Sequence, residues 1–275
     1  MEDLQNQVNE LFAEKLKIYQ GGDNLSLPHI PRISKKYFST KTIVIGQETN
    51  TWFRKGNDDL KNIFIENLDK ISNICLENSY DKFIALDAAN YKGMFWKFSR
   101  LLYEENIIKG NMIENGMLSH VWVNMFVIES CKDKKDKNGR PTKNSSLQKK
   151  VIGLQQDILY HIIKKLKPRR IIALTGHSLD NILCSHILKS RNVDFKQIDN
   201  NNIIDKWKLA QIIIKDKTHP LYDCNIIRSY HPSYFLGYMN ANKKIATKIK
   251  EIGLLQSPSE YYTNLMLNKL KSTNF

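Results

Sequence analysis

Three short stretches place polar side chains where an apolar run gives way to a turn. Gly46-Gln47-Glu48 follows the β-branched run Thr42–Ile45, Asn124 interrupts the run 119–128, and His231-Pro232-Ser233 follows Ile226 and Ile227. A carboxylate, an amide and an imidazole suit a reaction in which water attacks a sugar carbon while a heterocyclic base departs. The carboxylate positions the water and offsets oxocarbenium charge, the amide reads the base edge, and the imidazole stabilises the negative charge growing on the base. Pro232 biases His231 toward an extended or turn conformation, and Tyr234 and Phe235 follow as an aromatic wedge. An amide at the end of a buried strand costs on the order of 1–3 kcal/mol if unpaired, so Asn124 is expected to be a structural bridge or a ligand contact. The bland alternative for the last stretch is a surface turn with a satisfied histidine.

The elements that must position these residues alternate between strand and helix. Thr42–Ile45, 119–128, Ile171–Leu174, 207–214 and 224–228 read as strands. Helical spacing marks 3–19, 60–75, the segment around Phe95–Leu102, 151–166, 179–188, 239–252 and 259–270. This alternation predicts an α/β fold in which a mostly parallel sheet is covered on both faces. The carboxyl ends of parallel strands lie along one edge, where α/β folds bind ligands, so the three polar stretches are expected to converge there. Tyr91, ahead of the helix containing Phe95, Trp96 and Phe98, is a candidate pocket residue, whereas those three aromatics read as core. Residues 131–146 carry five lysines and one arginine in a low-complexity stretch, read as a mobile basic loop. No repeat or linker divides the chain, and one domain over residues 1–275 is expected.

The chain has 275 residues, 41% of them apolar, and a formal net charge of +14. That balance favours a polyanionic partner, nucleic acid before an acidic membrane. Lys, Asn and Ile are all abundant, so charge supports the reading without carrying it. Cys75, Cys131, Cys184 and Cys224 are far apart, with no CxxC and no nearby His pair; the spacing fits neither zinc nor an iron–sulfur cluster. No run reaches transmembrane length, and the acidic, amphipathic N-terminus does not read as a signal peptide. The expectation is a cytoplasmic monomer with no metal, no cofactor and no membrane association.

In these stretches the chain resembles the uracil-DNA glycosylase superfamily. That family has a strand followed by GQDPY or a GxNP variant, and this chain has IGQETN. A second family strand ends in Asn, as VWVN does here. A later family strand reads like LLWGSHA, beside IALTGHSLDN here. The family's last motif, HPSPL, is matched by HPSYF at residues 231–235. Order and placement agree from about residue 40 to 245. The resemblance implies a monofunctional, metal-independent DNA glycosylase built as a three-layer sandwich around a four-stranded, mostly parallel sheet. Carried over by position, Glu48 takes the water-activating place and His231 faces the base carbonyl. Asn124 pairs with the flipped base, which Gly46 and Gln47 contact; Tyr91, from its place ahead of a helix and not from a family motif, is the candidate to stack on that base. Ser178 and Ser233 touch phosphates, and Phe235 beside Tyr234 inserts into the duplex, offsetting part of the unstacking cost.

Two departures bear on the substrate. Glu replaces Asp in the first motif, and Thr49-Asn50 replaces Pro-Tyr, removing the ring that in uracil enzymes blocks substituents at pyrimidine C5. The opened pocket is similar to that of anti-phage members acting on glucosylated hydroxymethylcytosine, with uracil repair as the alternative. Two other classes remain in view. One is a DNA-binding protein without catalysis. The other is a serine hydrolase using Ser178 on a strand-to-helix turn, with His219 or His231 and Asp205, Asp216 or Asp223; Asp180, where such an elbow wants glycine, speaks against it.

Overall fold

The sheet is built from runs apolar on both faces, as parallel strands covered by helices require. The computed structural model describes residues 2–15, 26, 28–48, 84, 90–129, 140–155 and 157–272. In chain order the elements are α1 (Glu2–Lys15), α2 (Tyr37–Thr40), β1 (Thr42–Gly46), α3 (Met94–Glu104), the small hairpin β2 (Ile113–Glu114) and β3 (Met117–Leu118), and β4 (Val121–Asn124). Then come α4 (Ser145–Gln155), α5 (Ile158–Leu166), β5 (Arg170–Ala173), β6 (Val193–Gln197), β7 (Leu209–Ile214), β8 (Asn225–Ser229), α6 (Lys243–Glu251) and α7 (Pro258–Lys271).

The main sheet runs β4-β1-β5-β8-β7-β6. The first four strands are mutually parallel, and β7 and β6 are antiparallel additions. Alternate residues feed two apolar layers. Ile43, Ile45, Val121, Val123 and Ile171 face one, with Val8 and Phe12 of α1 and Ile158 and Ile162 of α5. Val44, Ile172 and Ile227 face the other, with Phe98 and Leu102 of α3 and Tyr262 and Met266 of α7. Each such side chain contributes about 1.5–3 kcal/mol on burial, and together they hold the strand ends in place.

The expected α/β architecture with helices on both faces is present, but the sheet has six strands and not four. β6 was missed because VDFKQ is polar and only partly buried; it is an edge strand, held by its pairing with β7. The run 119–128 pairs only over Val121–Asn124. Beyond it, Met125 and Phe126 donate to the carbonyls of Gly46 and Gln47, and the carbonyls of Val127 and Glu129 accept from His29 and Ser26. The single helix expected over 151–166 is two, α4 and α5. Buried Gln155 closes the first by bonding Met125 O and Val127 N, and Lys167, at φ 48°, ends the second before Pro168. The segment expected as a helix over 179–188 is a 3-10 turn (His177–Leu179), one α turn (Asp180–Ile182) and a π turn (Leu183–Ile187). The expected helix 60–75, the part of the N-terminal helix beyond residue 15, and loop residues 131–139 lie outside the described residues. At the other end, α7 begins with a capping box between Ser257 and Glu260 and with Pro258 in its first turn, chemistry visible in the sequence itself.

Candidate functional site

Gly46 and Asn124 are register partners at the carboxyl ends of β1 and β4. A Cβ on Gly46 would stand 2.4 Å from Asn124 Oδ1, so glycine here is what allows the amide to lie across the strand end. Asn124 is 1% exposed. Its Oδ1 accepts from the Trp122 indole N–H at 3.3 Å, which fixes the amide orientation because an indole can only donate. Nδ2 is then a buried donor with no hydrogen-bond partner among the described residues. Such a donor points to an acceptor supplied by a ligand.

Gln47 turns the other way. Its Nε2 donates to Thr175 O at 2.8 Å, tying the end of β1 to the loop after β5. That loop turns at Gly176, where φ is +75° and a Cβ would press on the Tyr230 ring at 3.2 Å. Gly176 N–H donates to Ser229 O. Asn124, Gly46, Gln47, the 175–178 loop and the end of β8 thus form one continuous line across four strand tips.

His231 is set by its own turn. The backbone N–H of Ser233 donates to His231 Nδ1 at 3.2 Å, and the Ser233 hydroxyl lies 2.8 Å from the same nitrogen. Nδ1 is therefore an acceptor, so the neutral ring carries its proton on Nε2. Burial lowers the imidazole pKa to about 4. His231 is thus a neutral N–H donor at ordinary pH.

Glu48 is more constrained than its sequence suggested. Oε2 accepts from the Thr142 N–H (3.2 Å) and the Thr142 hydroxyl (2.8 Å), and Oε1 lies 3.9 Å from Arg140 Nε. These contacts orient a carboxylate whose side chain is 8% exposed. They leave it acceptor capacity, since a carboxylate has about four lone-pair sites. Thr142 and Arg140, expected to belong to a mobile loop, are here the turn that holds Glu48.

The remaining predicted residues are divided. Ser178 is exposed and Ser233 is committed to His231. The Tyr234 ring lies 4.6 Å from the Tyr230 ring, tilted by 34°. Tyr91 is 51% exposed ahead of α3; its carbonyl accepts from Arg100 Nη1 at 3.1 Å, and a Cβ on Gly93 would stand 2.8 Å from the Tyr91 ring. Phe235 is a correction. It is 0% exposed, 5.0 Å from Tyr262 and 5.5 Å from Phe98, because the π-helical turn Ser233–Tyr238 rolls it into the core. It anchors the turn and is not available as a wedge.

Sequence reasoning also missed contributors. Trp122 sets the amide, Tyr230 bonds His177 Nδ1 at 2.6 Å, and Arg228 pairs with Asp180 at 3.0 Å. The signal for the last was legible: an arginine inside IIRS interrupts an apolar strand just as Asn124 does. The residues imagined for a hydrolase do not assemble. Asp205 is paired with Lys208, Asp216 accepts from Thr218, and among the described residues no histidine is bonded to Ser178.

Among the described residues no group of three His, Cys, Asp or Glu is placed to hold a metal ion, and no helix is long and apolar enough to cross a membrane. Cys184 and Cys224 are free thiols. No protein-family model matches the chain, and no curated relative matches it.

Proposed function

We propose that this protein is a monofunctional DNA glycosylase that extrudes a pyrimidine nucleotide and hydrolyses its N-glycosidic bond. The observation that carries the reading is the buried Asn124 amide, whose Nδ2 has no partner among the described residues, at the same sheet edge as a neutral, N–H-donating His231. Asn124 Nδ2 donates to an acceptor on the extruded base. His231 Nε2–H donates to the base carbonyl oxygen as negative charge accumulates there, and the donor is already oriented before the bond breaks. Glu48, held by Thr142, orients water toward the sugar carbon and offsets the oxocarbenium charge. The bond between sugar C1′ and the base nitrogen breaks with its electron pair going to the base, water forms the new C–O bond, and the proton that water gives up neutralises the departed base, leaving an abasic site. The net charge of +14 suits the phosphate backbone.

For the substrate, the absence of Pro-Tyr after Glu48 favours a base carrying a C5 substituent, glucosylated hydroxymethylcytosine of phage DNA before uracil. The test is incubation with DNA containing uracil, unmodified cytosine or glucosyl-hydroxymethylcytosine, followed by quantitation of abasic sites. Cleavable sites are expected in the glucosylated DNA; sites in the uracil DNA alone would assign a repair role. Glu48→Gln and His231→Ala should each lower excision by about 10²–10⁴-fold while DNA binding persists.

One observation favours a second reading, DNA binding without catalysis: both Glu48 oxygens already have protein neighbours. Salt-sensitive binding with no base released from any of the three DNAs would establish it.

A further inference from the structure

Beside the sites named above, the loop Asp205–Lys208 exposes an indole that is held from beneath. Trp207 is 58% exposed. Arg228, 0% exposed in β8, donates through Nη1 to the Trp207 carbonyl and through Nη2 to the Lys206 carbonyl, each at 2.7 Å. Its Nε lies 3.0 Å from Asp180 Oδ1, and its guanidinium carbon lies 5.5 Å from the centre of the Phe195 ring. Asp205 closes the loop from the other side, accepting from the Trp207 N–H at 3.0 Å and the Lys208 N–H at 3.2 Å and pairing with the Lys208 ammonium. A buried guanidinium needs a countercharge and hydrogen bonds to be tolerated; here Asp180 supplies the charge and two loop carbonyls the bonds, which sets the shape of a surface loop. The result is an indole carried into water on a backbone that is held from beneath.

The ring does not stand alone. His177 lies 6.0 Å from Trp207, Tyr230 lies 5.8 Å from His177, and Tyr234 lies 4.6 Å from Tyr230. The row passes through Tyr230, the residue before His231, and ends on Tyr234. Lys206 Nζ lies 5.6 Å from the indole centre, a cation placed where a phosphate would accompany a stacked base. Every nucleobase has a π-face, so aromatic platforms next to cations bind single strands with little regard to sequence.

We propose that Trp207, continued by His177, Tyr230 and Tyr234, is a stacking platform for unpaired bases of a DNA strand running beside the candidate active site. The placement of that strand rests on the glycosylase reading; the platform itself is tested without it. A labelled oligothymidine of about 12 nucleotides, within the range that such surfaces engage, is titrated against the full chain and against Trp207→Ala and Trp207→Phe at two salt concentrations. Trp207→Ala should weaken binding about tenfold and leave the salt dependence unchanged, since no phosphate contact is removed. Trp207→Phe should retain most of the affinity, and wild-type binding should quench tryptophan fluorescence more than binding to Trp207→Ala does. Equal affinity of wild type and Trp207→Ala overturns the platform. So does a loss that comes with a reduced salt slope. Excision by a wild type whose binding ignores Trp207 overturns the platform alone. Trp207-dependent binding with no abasic sites in any DNA supports the platform and removes the glycosylase reading.

Discussion

Asn124 and Arg228 are both polar side chains set into apolar strands near the same edge of the sheet, and both are buried. They are treated oppositely. Arg228 meets two carbonyls and a carboxylate, whereas among the described residues the Asn124 side chain has one bond, from Trp122, and a donor left over. A buried polar group with its partners supplied by the protein is part of the scaffold. One with a donor left over, at the mouth of a parallel sheet, is kept for something that arrives. Both interruptions look alike in sequence, and only the partner count separates scaffold from site.

That contrast can be broken from either side. The largest effect is expected from Arg228→Met, which strands Asp180 and two loop carbonyls. Urea unfolding should show a loss of about 3–5 kcal/mol, and an unchanged midpoint would make the arginine as dispensable to the fold as the asparagine is argued to be. Next comes Asn124→Ala. Its stability should shift by no more than about 1 kcal/mol, because one bond and one unsatisfied donor leave together. Base excision should fall by about 10²–10³-fold, as when one preorganised donor is removed. A large stability loss with excision intact would move Asn124 to the scaffold.

The smallest effect concerns protons. Burial depresses His231 to about 4, below the ordinary value near 6.5 of an unfolded chain. As pH falls below about 6.5 the unfolded chain takes up this proton first. The stability that the neutral ring contributes is therefore full above that pH and lost progressively toward pH 4. Relative to His231→Asn, which cannot titrate, wild type should lose about 1 kcal/mol between pH 8 and pH 6. Over the same range its excision rate should show no step from this imidazole, which stays neutral. A step in rate near pH 6.5 would mean that the ring is not held as the Ser233 N–H holds it.

The extent to which the molecule was legible follows from what each residue's role depends on. TIVI, IIAL and IIRS were readable as strands because a parallel strand covered on both faces must be apolar throughout. β6 was not, because an edge strand is specified by its neighbour more than by its own composition. Gly46, Asn124 and His231 were readable as candidates because each stands where an apolar run stops. The ties of Glu48 to Thr142 and of Gln47 to Thr175 were not, since they join residues 94 and 128 positions apart. Phe235 was misread for a related reason: HPSYF specifies a turn after Pro232, but which ring goes inward depends on Phe98 and Tyr262 waiting beneath it.

Local pattern by itself determined the α/β alternation, the parallel strand tips and the three polar stretches set at them, because periodicity and turn chemistry act between neighbours in the chain. Only the tertiary structure decided which polar groups are satisfied, since a hydrogen bond depends on distance and angle between groups far apart in sequence. That accounting leaves the Asn124 donor open and gives each terminal nitrogen of the Arg228 guanidinium a backbone carbonyl.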